Sequence, residues 1–262
     1  LAIRDYEQAP YLVLATRSGL VKKTRLGDYN SPRQAGVIAI NFREDDDELI
    51  GAELVEPADD ILLVSRKGQA IRFRADDAQL RPMGRATSGV TGMKFRSDAD
   101  SVLSMSVIRA DQVAAEEAAE AKAEAAGEST AAGDLPDVKE QYVFTITDGG
   151  FAKRSRISEY RTTNRGGLGI KAMALANEDR GHLVGAFIVV EGDEILSITQ
   201  GGQVVRSPIN ADFRPTGRST MGVKGIELGE GDKVVGFTVT DPERQQVLAV
   251  CEKGYGKRTA LE

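Results

Sequence analysis

Short apolar runs, each closing on a glycine hairpin, recur along the chain. They are Tyr11–Leu14 before Gly19, Ile61–Val64 before Gly68, Tyr142–Ile146 before Gly150, Ile195–Ile198 before Gly202 and Val247–Val250 before Gly254. Four residues past each hairpin glycine stands a base: Lys23, Arg72, Arg154, Arg206 and Arg258. A second glycine then precedes a β-branched residue, at Gly36-Val37, Gly89-Val90, Gly169-Ile170 and Gly222-Val223. The stretches Val90–Phe95 and Val223–Leu228 alternate apolar and polar positions, which predicts half-buried strands. An apolar strand closes each unit, as in Leu49-Ile50-Gly51, Val102-Leu103-Ser104, Leu183-Val184-Gly185 and Val234-Val235-Gly236. Acidic turns (44–48, 97–100, 177–180, 230–232) lead into these closing strands; Asp45–Glu48 lacks the glycine of a calcium loop and reads as a solvated turn. A repeat of about 50 residues with four short strands is the pattern of radially arranged blades, so the fold predicted is all-β and propeller-like.

The boundaries follow from the same register. Blades are expected at about 9–56, 57–110, 140–191 and 192–241, with a partial one at 242–262. Residues 1–6 read as the closing strand of a preceding unit, since Leu1–Arg4 matches Val107-Ile108-Arg109. The chain therefore reads as a piece of a longer array.

The hairpin glycines are spaced by 49, 82, 52 and 52 residues, and the long interval holds an insertion at 111–139. Ala114–Ala126 is rich in helix formers, yet Glu116, Glu120, Glu124 and Glu128 stack like charges and no Glu has a Lys four residues on. A mobile acidic loop is expected there, with a short frayed helix as the alternative. Such a polyanion would compete with phosphates for nearby bases.

Charge changes the picture once it is located. The chain of 262 residues has 34 Lys+Arg against 40 Asp+Glu, a net charge of −6. Residues 111–140 carry nine acids and two lysines, a net of −7, which leaves +1 for everything else. In that near-neutral remainder the bases gather in two places per unit. One is the strand after the hairpin, with Lys22, Lys23, Arg25, Arg72, Arg74, Lys153, Arg154, Arg156, Arg206, Lys257 and Arg258. The other is an Arg-x-x-x-Arg loop before the second glycine, with Arg81/Arg85, Arg161/Arg165 and Arg214/Arg218, and Arg33 alone in the first unit. Lys171 and Lys224 follow the second glycine. Repetition with the blades predicts a curved basic rim suited to the phosphates of bent duplex DNA. Two or three phosphates per blade over four blades would give a salt slope of about −8 to −10. The competing reading is a solvated strand face that protects sheet edges.

Other chemistries find little support. One cysteine and one histidine supply neither a disulfide framework nor a tetrahedral zinc site. Cys251 reads as a core residue, and His182 as a turn residue. The apolar run Leu183–Val190 is too short to span a bilayer. Gly254–Arg258 lacks the spacing and hydroxyl of a phosphate-binding loop, and Gly166–Gly169 is too short for a dinucleotide fingerprint. Tyr6, Tyr29, Tyr160 and Tyr255 have no activating context. The expectation is a soluble, cytoplasmic, non-catalytic protein without metal or cofactor, and with 5% aromatic residues single-strand stacking is not supported.

The units Gly19–Thr24 and Gly254–Thr259, together with Gly89–Met93 and Gly222–Ile226, resemble the C-terminal domain of the bacterial DNA gyrase A protein. The resemblance covers the chain outside the insertion. It implies a β-pinwheel whose four-stranded blades exchange strands, and a rim around which double-stranded DNA wraps to support ATP-dependent negative supercoiling. It also implies partnership with the rest of gyrase A and, through it, gyrase B, in the bacterial cytoplasm at the nucleoid. Cleavage and ATP hydrolysis lie elsewhere in that enzyme. The nearest match to the family's basic wrapping motif, Thr163–Gly169, has Leu168 where the motif carries a base. The related domain of topoisomerase IV and a propeller-like protein-interaction scaffold remain as alternatives.

Overall fold

The computed structural model describes residues 1–33, 35–126, 139–176, 180–240 and 246–260. The first unit forms β1 (Tyr11–Thr16), β2 (Leu20–Arg25) and β3 (Leu49–Val55). The second forms β4 (Asp60–Ser65), β5 (Gln69–Arg74), β6 (Val90–Thr91) and β7 (Val102–Ile108), followed by α1 (Ala110–Ala126). The third forms β8 (Gln141–Thr147), β9 (Phe151–Arg156), β10 (Ile170–Lys171) and β11 (Leu183–Val190). The fourth forms β12 (Glu194–Thr199), β13 (Val204–Pro208), β14 (Val223–Lys224) and β15 (Val234–Val239), before a last hairpin of β16 (Gln246–Val250) and β17 (Gly256–Ala260).

The sheets do not coincide with the units. Their strand orders are β3-β1-β2-β6, β10-β5-β4-β7 and β11-β8-β9-β14, with β13-β12-β15 and β16-β17 completing the set. Each of the first three sheets thus takes its fourth strand from the unit that follows, as a pinwheel requires. The alternating stretches predicted as strands shrink to two-residue donations, Val90–Thr91 and Val223–Lys224. At the equivalent place in the first unit, Val37–Ile38 forms no strand.

Both faces of each inner sheet are covered, which is why the hairpin strands read as continuous apolar runs and not as alternations. In β4, Ile61 and Leu63 join the core against the first sheet, while Leu62 and Val64 join the core against the third. In β8, Val143 faces one core and Tyr142, Phe144 and Ile146 the next. Fully burying each such aliphatic side chain contributes about 1.5–3 kcal/mol.

Two glycines per unit permit the donation. Gly68 has φ +79°, and its carbonyl accepts the amides of Ala172 and Met173 at 2.7 and 3.4 Å. A Cβ there would lie 2.7 Å from the Met173 carbonyl oxygen. Gly169, at φ +67°, approaches β5 so closely that a Cβ would fall 2.3 Å from the Ala70 carbonyl oxygen. Neither a left-handed conformation nor that approach suits a residue with a side chain.

Three expectations require correction. Residues 1–6 form no strand; Ile3, Tyr6 and Ala9 instead pack against Leu12, Leu14 and Leu26, capping the outer face of the first sheet. The insertion is not simply a mobile acidic loop, because it is helical over Ala110–Ala126, while 127–138 lie outside the described residues. Tertiary contacts supply what the missing Glu–Lys pairs do not. Gln112, Val113 and Glu116 are buried, Glu116 and Glu117 pair with Arg72 and Arg74 at 2.8 and 2.6 Å, and Asp59 accepts the Ala110 amide. Finally, Cys251 is exposed, because it lies in the turn of a two-stranded hairpin whose apolar Leu248 and Val250 are themselves uncovered.

Candidate nucleic-acid interface

In the first three units the base four residues after the hairpin glycine does not point to solvent, whereas Arg206 and Arg258 at the same position are exposed. Lys22, Lys23, Arg72, Lys153 and Arg154 are each at most 4% exposed, so their expected place on a DNA-facing rim is overturned. The reason is that the donated segment of the next unit lies across this strand. In equivalent positions, Met83 N–H donates to the Lys23 carbonyl, Thr163 N–H to that of Arg72 and Thr216 N–H to that of Arg154, at 2.8–2.9 Å. The side chains beneath then satisfy groups at the junction. Lys22 Nζ donates to the carbonyls of Ala39, Arg85 and Thr87, and Lys153 Nζ to those of Gly217 and Arg218. Desolvation, with a neighbouring arginine adding to it, pushes the Lys22 amine down to about 8; desolvation pushes that of Lys153 down to about 7.

The guanidinium groups are held as firmly. Arg72 pairs with Asp60 at 2.7 Å and Glu116 at 2.8 Å, both acids buried. Arg154 pairs with Glu191 at 2.6 Å and stacks 4.4 Å above the Tyr142 ring, as Lys23 stacks 4.7 Å above Tyr11. Lys23 pairs with Asp77 at 2.8 Å. Of the same group, Arg74 is partly buried against Asp60 and Glu117, Arg156 pairs with Glu140, and Arg206 pairs with Glu194 at 2.8 Å. Arg25 is exposed at the end of β2, and Lys257 and Arg258 are exposed on β17.

Those donated segments form one continuous layer. Asn41 N–H donates to Thr87 O at 3.2 Å, Lys94 N–H to Gly167 O at 2.9 Å and Ala174 N–H to Thr220 O at 3.0 Å. Each donor is five residues after its own unit's second glycine, and each acceptor two before the next unit's. The Arg-x-x-x-Arg loops are carried by this layer in a regular series. Arg81, Arg161 and Arg214 are exposed and make no ion pair among the described residues. Arg85, Arg165 and Arg218 are half-buried and donate to Ile38 O, Thr91 O and Lys171 O at 3.2, 2.9 and 2.9 Å. Lys171 and Lys224 are exposed on the short donated strands, the latter 3.5 Å from Glu227. Arg33 is exposed in the first unit.

Sequence reasoning missed two things here. Lys94 is exposed on the same segment as Arg81 and its neighbours, and its place in the alternating stretch after Gly89 was the available signal. The acidic turns also hide structural residues. Buried Asp47 accepts from Ser18 N–H and Oγ, and buried Asp100 from Lys67 N–H and Ser65 Oγ, so these two are not solvated. Their signal was register: both lie eleven residues after a second glycine. Of the turn at 177–180, residues 177–179 lie outside the described residues. His182 is exposed, and its backbone amide donates to Asp148 at 2.9 Å.

A family profile described as the DNA gyrase C-terminal domain, β-propeller, matches residues 10–56, 59–109, 141–189 and 193–241. The DNA gyrase A protein of Nocardioides sp. is 76% identical over 235 residues, which are 89% of this chain and 25% of that protein. The chain spans about a quarter of the length of the curated relatives it matches. Among solved structures, a DNA gyrase A C-terminal domain superposes with a TM-score of 0.68 at 24% identity, covering 90% of this chain and 68% of the other. The C-terminal domain of DNA topoisomerase IV superposes with a TM-score of 0.73 at 22% identity, covering 93% and 65%. These structural likenesses speak to fold.

Proposed function

The chain belongs to the DNA gyrase A C-terminal domain family, and on that premise we propose that it binds and bends double-stranded DNA along the layer of donated segments. The observation that carries the proposal is the series Arg81, Arg161 and Arg214. One exposed guanidinium, without an ion pair among the described residues, stands at the same place in three consecutive units, on loops hydrogen-bonded to one another. Lys94, Lys171 and Lys224 flank them on the same segments.

These groups suit phosphate oxygens and carry no base-reading arrangement, so recognition is of the backbone and largely independent of sequence. Bending stiff DNA costs on the order of 1–6 kcal/mol per 20–30 bp, which contacts repeated along a curved track offset. Within the whole enzyme the domain would present a wrapped segment for ATP-dependent negative supercoiling in the bacterial cytoplasm. It would act beside the rest of gyrase A and, through it, gyrase B, with strand cleavage and ATP hydrolysis carried by residues outside this chain. Relatedness to gyrase at 76% identity favours this reading over the topoisomerase IV alternative, for which there is likeness of fold alone.

The test is affinity for duplexes of about 100 and about 20 bp across a salt series. Six phosphate contacts at about 0.9 each give a slope of about −5. That is shallower than the −8 to −10 expected when the buried bases are counted. A slope near −5 with a clear preference for the long duplex is expected. A slope flatter than about −2, with no preference for length, overturns the proposal and favours the interaction-scaffold alternative.

A further inference from the structure

The two arginines of each Arg-x-x-x-Arg loop stand in different environments, and the difference repeats. The first is exposed, with no ion pair among the described residues. The second reaches back to the preceding unit, always to the carbonyl two residues past that unit's second glycine: Arg85 to Ile38, Arg165 to Thr91 and Arg218 to Lys171. Arg165 is further fixed by donating Nε–H to the Gln79 carbonyl.

We infer that Arg85, Arg165 and Arg218 are positioning residues that set the angle between neighbouring donated segments, and with it the curvature of the DNA track. The inference rests on the DNA-bending function proposed above. Adjacent segments are joined by a backbone hydrogen bond at one offset: Asn41 to Thr87, Lys94 to Gly167, Ala174 to Thr220; the middle junction has a second, Gly166 N–H to Gly92 O at 2.6 Å. In the first and third junctions a single backbone bond fixes a distance and leaves rotation about it. A guanidinium bonded at a second place on the neighbouring segment removes that rotation. Its planar fork holds a direction that a lysine's rotatable ammonium does not. From below, Lys22 and Lys153 hold the carbonyls of the same loops, so each loop is held against tilting as well as sliding in the first and third sheets. In the second sheet the apolar Ile71 lies under Gly167 instead, and Arg165 shares the constraint with the Gly166 N–H to Gly92 O bond there.

The experiment compares this chain with three double variants: Arg165→Met/Arg218→Met, Arg165→Lys/Arg218→Lys and Arg161→Ala/Arg214→Ala. Salt slopes count phosphate contacts, and end-to-end energy transfer on a duplex of about 100 bp reports the bend. The Met pair should keep the parent slope to within about 0.5, lose energy transfer, and lose affinity for the long duplex while keeping it for one of about 20 bp. The Lys pair should match the Met pair in bend despite its restored charge. The Ala pair should lose roughly two units of slope, about 0.9 per contact.

If the Met pair loses those two units and the Lys pair recovers them, the second arginines are phosphate contacts and the inference is overturned. An unchanged bend in both pairs overturns it equally. Should the Met pair fail to fold, the Lys pair carries the test alone, and an unchanged bend there overturns it. Failure of the DNA-bending reading itself is distinguishable, since the parent chain would then show neither slope nor length preference.

Discussion

Replacing Arg72 by methionine separates a structural base from a DNA-facing one. The side chain is 4% exposed and bonds Asp60 at 2.7 Å, Glu116 at 2.8 Å and, more weakly, the carbonyls of Ile157 and Tyr160 at 3.4 and 3.3 Å. Methionine fills much of the same volume and removes every one of these donors. Truncating one partner of a buried ion pair costs about 3–5 kcal/mol, because the other charge is left without compensation. Asp60 keeps Arg74 at 2.9 Å and the Thr162 hydroxyl at 2.7 Å, so its loss is partial. Among the described residues Glu116 keeps the Gln112 side-chain amide alone, at 3.0 Å, and carries most of the penalty. The lower end applies, about 3 kcal/mol, or a fall in Tm of roughly 6–12 °C for a chain of this size. Urea unfolding followed by circular dichroism reads the loss, and amide exchange should place it in β4, β5 and α1. Adding Glu116→Gln should return part of it by removing the stranded charge. The salt slope for DNA, measured where the variant is folded, should stay at the parent value. A variant within about 1 kcal/mol of the parent that loses roughly one unit of salt slope would refute the argument, since Arg72 would then face phosphate.

Two further outcomes follow from the same junctions. Gly169→Ala should cost more than Gly202→Ala in urea unfolding. Both sites are left-handed, at about 1–2 kcal/mol for a Cβ, but at Gly169 the Cβ also meets the Ala70 carbonyl oxygen at 2.3 Å, whereas at Gly202 nothing lies within 4 Å. Equal losses would show that close approach of the donated strand is not what requires glycine. For Lys153, burial holds the amine at about 7, below its ordinary value near 10.5, so above pH 7 the unfolded chain binds the extra proton. The unfolding free energy of the parent relative to Lys153→Met should therefore rise with pH from about 7 towards 10, alongside a lysine carbon resonance titrating near neutrality. Parallel pH profiles for the two proteins would contradict this.

Much of the architecture was legible in the chain because it is written in contiguous residues. Hairpin glycines with positive φ, apolar runs between them and the recurrence of both near 50 residues are local properties, and they specify strands, turns and a bladed all-β array without reference to distant partners. The gyrase-like motifs are local in the same sense. Burial is not. Alternating bases on the strand after each hairpin look like a solvated face, but Lys22 is enclosed by carbonyls up to 65 positions away, and Arg72 by groups up to 88 away. The donated segment that covers them comes from the next unit, so local periodicity does not register it. The acidic insertion shows the converse. Its own sequence argues against a stable helix, and the helix stands because Arg72 and Arg74 on β5 take Glu116 and Glu117. Sequence by itself determined the repeat and its register; tertiary packing decided which charges were left for a partner, because solvent exposure belongs to the neighbours of a residue and not to the residue.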